Sequence, residues 1–92
     1  MPTVNRSLTI KNRLGLHARA AGELVKVTAK FQSDVKVSKD DQTVDGKSIL
    51  GLMMLAAAQG SQIEVAVCGD DADAAIEAIA DLVARGFYED ND

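Results

Sequence analysis

Four stretches of this chain alternate apolar and polar residues one by one, and that alternation limits what it can fold into. Successive side chains leave a strand on opposite sides, so each stretch reads as a strand with one dry face and one wet face. QIEVAVCG (62–69) is the clearest, with Ile63, Val65 and Val67 pointing one way and Glu64, Ala66 and Cys68 the other. TVNRSLTI (3–10) places Val4, Leu8 and Ile10 on one side, interrupted by Arg6. DVKVS (34–38) repeats the pattern, and QTVDG (42–46) gives a short strand around Val44, with KDDQ (39–42) suited to a hairpin turn between them. A sheet that is wet on one face must gather its helices on the other.

Three segments supply those helices. From His17 to Phe31, residues Ala20, Leu24, Val27 and Phe31 recur at helical spacing, widened by Ala21, Val25 and Thr28. SILGLMMLAAAQG (48–60) reads as a short helix closed by Gly60, with Ile49, Leu52, Leu55 and Ala56 as its core-facing choices. GDDADAAIEAIADLVARGF (69–87) opens with acidic residues that suit the macrodipole, carries a stripe of Ala72, Ala75, Ile76, Ile79 and Val83, and stops at Gly86. The expected architecture is an α+β open-faced sandwich: a four-stranded antiparallel sheet with three helices on one face, in the order β-α-β-β-α-β-α. At 92 residues there is room for one domain, 1–92, with YEDND (88–92) expected as a frayed tail.

A formal net charge of −4 argues against a nucleic-acid partner, which needs a basic footprint. The most apolar window, ILGLMMLAAA, is about half of the ~20 residues a membrane span needs. Cys68 is the single cysteine, so it has no internal disulfide partner and no second thiol for a metal. The acidic pairs Asp40/Asp41 and Asp70/Asp71 read as turn and helix-start residues. These features fit a cytoplasmic protein with no cofactor, no metal, and no nucleic-acid or membrane partner.

The single histidine, His17, lies in NRLGLHAR (12–19), where a strand ends and a helix begins. Helix N-caps favour Ser, Thr, Asp and Asn, so a histidine there breaks a local rule, as functional residues do. An exposed loop histidine is the bland alternative, about as good on position alone. The neighbours tilt the balance. The first turn offers backbone N–H groups from about Ala18 to Ala21 and the positive end of the macrodipole, which together hold an anion. Arg19 adds a planar fork suited to phosphate oxygens, and Gly15 lets the backbone turn sharply. A helix N-terminus disfavours imidazolium, which leaves His17 a neutral nucleophile able to attack a phosphoryl group. There is no Walker-type Gly-rich loop ending in GK[ST], no acidic cluster spaced for magnesium near His17 and no second histidine as base. Such a site can receive and pass on a phosphoryl group but cannot make one from a nucleotide, which favours a carrier over an enzyme.

GLHARA followed by an amphipathic helix resembles the active-site motif of the HPr family, the histidine-containing phosphocarriers of the phosphoenolpyruvate:sugar phosphotransferase system. The likeness resumes at VDGKSILGLMMLAAAQGSQIEV (44–65), similar to the family's regulatory-serine signature, and at GDDADAAIEAI (69–79). The resemblance implies that His17 accepts phosphate from Enzyme I on Nδ1 and passes it to enzyme II A domains. Arg19 is then the phosphate partner, with the Ala18 and Ala20 backbone assisting. The family commonly has Pro where this chain has Ala20.

Ser48 opens the second helix, so a plain N-cap explains it without further function. The resemblance makes it also a regulatory site for HPr kinase/phosphorylase. Helix 48–57 is apolar nearly all round, and one sheet face cannot bury all of that ring. Sinking the whole helix into the core is one solution. A docking patch of Ala18, Arg19, Ile49, Leu50 and Met53 is the other, and the family likeness favours it. A carrier that shows one site to two partners suits a monomer. Three other readings stand beside it: a paralogue in a nitrogen-related regulatory phosphorelay, an interaction domain controlled through Ser48 with His17 idle, and a scaffold without chemistry.

Overall fold

A computed structural model describes residues 2–89. The strands are β1 (Thr3–Thr9), β2 (Asp34–Lys39), β3 (Gln42–Asp45) and β4 (Gln62–Cys68), and the helices are α1 (Ala18–Thr28), α2 (Ile49–Met54) and α3 (Ala72–Ala84). A short 3-10 turn, Gly86–Tyr88, follows α3. The sheet order is β1-β4-β2-β3 with every pairing antiparallel. This is the open-faced sandwich expected from the alternation.

The strand best marked by its sequence lies in the middle. Ile63, Val65 and Val67 of β4 are fully buried, with Val67 opposite both Val4 of β1 and Val35 of β2. The alternate positions face away, and there Glu64 is joined by the hydroxyl of Ser7. Arg6, the residue that interrupts the apolar side of β1, reaches α3 and pairs with Glu77 at 2.8 Å. Both groups are well exposed, so the pair adds at most about 1 kcal/mol.

α1 buries Ala20, Ala21, Leu24 and Thr28, while Val27 and Phe31 are half-buried at its margin. α3 buries the whole expected stripe together with Leu82, and Gly86 follows in the left-handed region (φ 64°) as its stop.

α2 departs from expectation. It ends at Met54, and Ala56, expected in the core, is exposed with a left-handed φ of 50°. Ile49, a second expected core residue, is 43% exposed. Leu52 and Leu55 are buried as expected, and Ala57 joins them in the core. The physical reason lies in Ala57: its carbonyl accepts the N–H of Leu16 at 2.8 Å. A continued helix would carry that carbonyl away from the segment bearing His17. α2 therefore stops short, and a bend delivers Ala57.

Tyr88 and Glu89, expected in a frayed tail, belong to the fold, because Phe87 is buried and Glu89 bonds to residues of the His17 segment. Residues 90–92 of that tail lie outside the described residues.

Candidate functional site

The segment from Ile10 to His17 crosses the end of the sheet and is braced throughout. Ile10 exchanges backbone bonds with Ser61 and Gly60, and Gly15 donates its N–H to the Asn12 carbonyl. Gly15 takes φ 71°, and a Cβ there would stand 2.4 Å from the Ala57 carbonyl oxygen. Glycine is required for conformation and for space together. Asn12 is 1% exposed, and its amide donates to the Gly15 carbonyl at 2.7 Å.

At the end of this brace His17 is the N-cap of α1, with extended backbone (φ −86°, ψ −176°). Its Nδ1 accepts the backbone N–H of Arg19 at 3.3 Å. The imidazole thus does the capping normally left to a Ser or Asp oxygen. Its other nitrogen, Nε2, lies 2.5 Å from Glu89 Oε2. A ring nitrogen that accepts an N–H carries a lone pair, and a carboxylate is an acceptor, so these partners assign the Nε2–H tautomer. The lone pair sits on Nδ1, over the first turn of α1.

The donors around Nδ1 differ from expectation at one position. Ala18, Arg19 and Ala20 belong to the first turn, whose N–H groups have no intrahelical acceptor. The Ala21 N–H is spent on the His17 carbonyl at 2.8 Å and is unavailable to an anion. Ala18 and Arg19 are exposed, whereas the side chain of Ala20 is buried in the core.

Arg13, Leu14, His17, Arg19, Tyr88 and Glu89 line a cleft of about 260 Å³. The Arg19 guanidinium makes no ion pair among the described residues. A second groove of about 310 Å³ begins at His17 and Ala18 and runs over Leu14, Leu16 and Met53. Met53 of the expected docking patch is therefore next to His17. Ile49 and Leu50 lie outside that groove but on the same helix, and Leu50 is 74% exposed. Ser48 caps α2 through its hydroxyl, which accepts the Gly51 N–H at 3.0 Å. The structure does not bring Ser48 into contact with His17.

Sequence reasoning missed Asn12, Arg13 and Glu89. Glu89 accepts a hydrogen bond from Asn12 at 2.8 Å through its second oxygen. Burial pushes its carboxyl up, but the bonds from Asn12 and His17 and the nearby charge of Arg19 bring it below the ordinary carboxylate range. It arrives there on a left-handed turn: Gly86, Phe87 and Tyr88 have φ of 64°, 58° and 60°. Such backbone costs an L-residue about 1–2 kcal/mol, which Phe87 offsets by burying a side chain worth about 1.5–3 kcal/mol. The available sequence signal was Phe87, an aromatic in a chain with three of them, just past a helix stop.

A larger hollow of about 440 Å³ lies at the other end of β4, lined by Ser33, Asp34, Cys68 and Asp71 among others. It offers no cationic side chain, and the Asp71 carboxylate is committed to Gln32 N–H at 2.8 Å, Ser33 N–H at 3.0 Å and the Ser33 hydroxyl. The His17 end, by contrast, brings together an imidazole, a helix N-terminus and the Arg19 side chain.

Residues 4–85 match the family described as the PTS HPr component phosphorylation site. The chain is 44% identical to the phosphocarrier protein HPr of Xylella fastidiosa over 87 residues, covering 95% of this chain and 98% of that one. It is 39% identical to the phosphocarrier protein NPr of Shewanella violacea over 89 residues, covering 97% of this chain and 98% of that one. A crystal structure of HPr from Thermoanaerobacter tengcongensis superposes with a TM-score of 0.88 at 41% identity, covering 98% of this chain and 99% of that one. A family match across most of the chain, and likeness over nearly all of it in both sequence and fold, place this chain in the HPr family of phosphocarrier proteins of the phosphotransferase system.

Proposed function

We propose that the protein accepts a phosphoryl group from phospho-Enzyme I on Nδ1 of His17 and passes it to enzyme II A domains, acting as a cytoplasmic carrier and not as an enzyme. The observation that carries this reading is the Nδ1 lone pair at the N-terminus of α1, beside Arg19, whose guanidinium makes no ion pair among the described residues. As the Nδ1–phosphorus bond forms, the bond from phosphorus to its donor breaks. The Arg19 N–H, held by Nδ1 at a long 3.3 Å, is released to a phosphoryl oxygen. The Ala18 and Ala20 N–H groups and the Arg19 guanidinium hold the remaining charge. Transfer to the acceptor is the same step reversed on a new partner.

Partners dock over the exposed face formed by Ala18, Arg19, Ile49, Leu50 and Met53, where methionine provides adaptable contacts. Ser48 is the regulatory site, modified by HPr kinase/phosphorylase. A phosphate there adds about −1.5 to −2 charges at the edge of the docking face and weakens Enzyme I binding by repulsion.

Incubation with phosphoenolpyruvate and Enzyme I should yield an acid-labile, alkali-stable phosphoryl label. No label, or a label that survives His17→Ala, overturns the reading. Labelling by the serine kinase with ATP, lost in Ser48→Ala, tests the regulatory site separately. The likeness to a protein named NPr supports a second reading, in which the same histidine serves a nitrogen-related regulatory relay. Offering the labelled protein to enzyme II A domains of each branch separates the two by which one drains the label faster.

A further inference from the structure

We infer that Glu89, gripped by Asn12, is a positioning residue that fixes His17 in its Nε2–H tautomer and pairs the cationic ring formed when Nδ1 takes up a phosphoryl group. The inference rests on the carrier reading for its second half only; the tautomer is a property of the unphosphorylated protein.

Asn12 carries the first part of the argument. Its Nδ2 faces two oxygens, the Gly15 carbonyl at 2.7 Å and Glu89 Oε1 at 2.8 Å. Both are acceptors, so the amide can sit only with its NH₂ toward them. The opposite orientation would set oxygen against oxygen twice. This choice leaves the buried Asn12 Oδ1 without a hydrogen-bond partner among the described residues. Asn12 thus holds Glu89 by one oxygen and aims the other at His17 Nε2. The left-handed turn through Phe87 and Tyr88 carries Glu89 to that position, and Gly86 within it lies against Asn12. Glu89 in turn leaves Nε2 no role but donor, and the lone pair goes to Nδ1 above the helix N-terminus.

The chemistry supplies the second part. Forming the Nδ1–phosphorus bond converts the ring into a cation whose Nε2 proton never leaves. No base is needed in either direction, which fits a site whose chain has one histidine. The new positive charge is shared by both nitrogens, and Glu89 meets it on the side away from the phosphoryl group. A carboxylate that holds an imidazole in one tautomer and stabilises its cation has the role of the aspartate in a serine-hydrolase triad.

Because His17 is the one imidazole in the chain, a long-range ¹H–¹⁵N spectrum of the free protein reads its tautomer without overlap. The wild type should show the Nε2–H pattern. Glu89→Gln makes a sharper demand than simple loss. Asn12 still requires an oxygen, so the new amide must turn its NH₂ toward His17 Nε2. The ring should then shift toward Nδ1–H, occupying the nucleophilic lone pair. Phosphorylation by Enzyme I should fall about ten- to a hundred-fold, by analogy with the loss of a partner that orients a metal-bound histidine. Glu89→Ala guards against a folding artefact: a mixed tautomer pattern in a variant that still unfolds cooperatively and keeps the wild type's amide dispersion supports the inference. A wild-type Nδ1–H pattern, or an unchanged Nε2–H pattern in both variants, overturns it. Unaltered phosphorylation of Glu89→Gln overturns its catalytic half. Failure of the wild type to be phosphorylated defeats the carrier reading and leaves the tautomer result to decide this one.

Discussion

At the scale of single residues, the site depends on one glycine as much as on its histidine. Gly15→Ala would place a Cβ 2.4 Å from the Ala57 carbonyl, at φ 71°. The backbone strain alone is worth about 1–3 kcal/mol, and the clash acts on the segment that presents His17. We expect a lower melting temperature together with slower phosphorylation, measured by calorimetry and by the Enzyme I assay. Normal transfer at reduced stability would show that the brace does not position the ring. His17 was legible in the sequence because it breaks a local rule at a place where the backbone itself offers an anion site. Glu89 was not, because it follows two residues with left-handed φ that neither Phe87 nor Tyr88 encodes. A polar stretch with no periodicity reads as tail, although here Phe87 buries itself and draws Glu89 inward.

At the scale of elements, the strands were readable because a period of two admits one burial solution. The middle strand, β4, showed it best. The last turn of α2 was not readable, since nothing local tells Ala56 to leave the helix; the demand comes from Leu16, forty residues away in the chain. On this helix Leu50 is 74% exposed and Met53 39% exposed. Leu50→Ser removes apolar surface that the fold does not bury, so stability should change by no more than about 0.5 kcal/mol. Loss of a docking contact should instead raise KM for Enzyme I about ten-fold, near the 1.4 kcal/mol expected of a modest hot spot. Steady-state phosphorylation kinetics resolve this; an unchanged KM would remove Leu50 from the docking face.

At the scale of the whole molecule, two carboxylates fasten opposite ends of the sheet. Glu89 ties the C-terminal turn to the His17 segment, while Asp71 ties the start of α3 to the loop before β2. β4 spans seven residues between these ends, about 20 Å at the usual strand rise. The Ser33 hydroxyl and then the Gln32 N–H hold Asp71 below its ordinary range, and Glu89 is also lowered. A carboxyl with a depressed value in the folded state stabilises the fold above its unfolded value, about pH 4. That contribution disappears as pH falls through the lower folded value. Asp71→Asn should therefore destabilise the protein at pH 7, with the gap to wild type closing in denaturant titrations at pH 2–3. A gap of equal size at both pH values would mean that the amide fails for reasons of shape and not of charge. Groups this far apart, with no shared partner, should act independently. The double variant Asp71→Asn/Glu89→Gln should lose the sum of the two single losses within about 0.5 kcal/mol. A larger departure would mean that strain at one end of β4 reaches the other, and that the His17 site senses the clip at Asp71 through the strand between them.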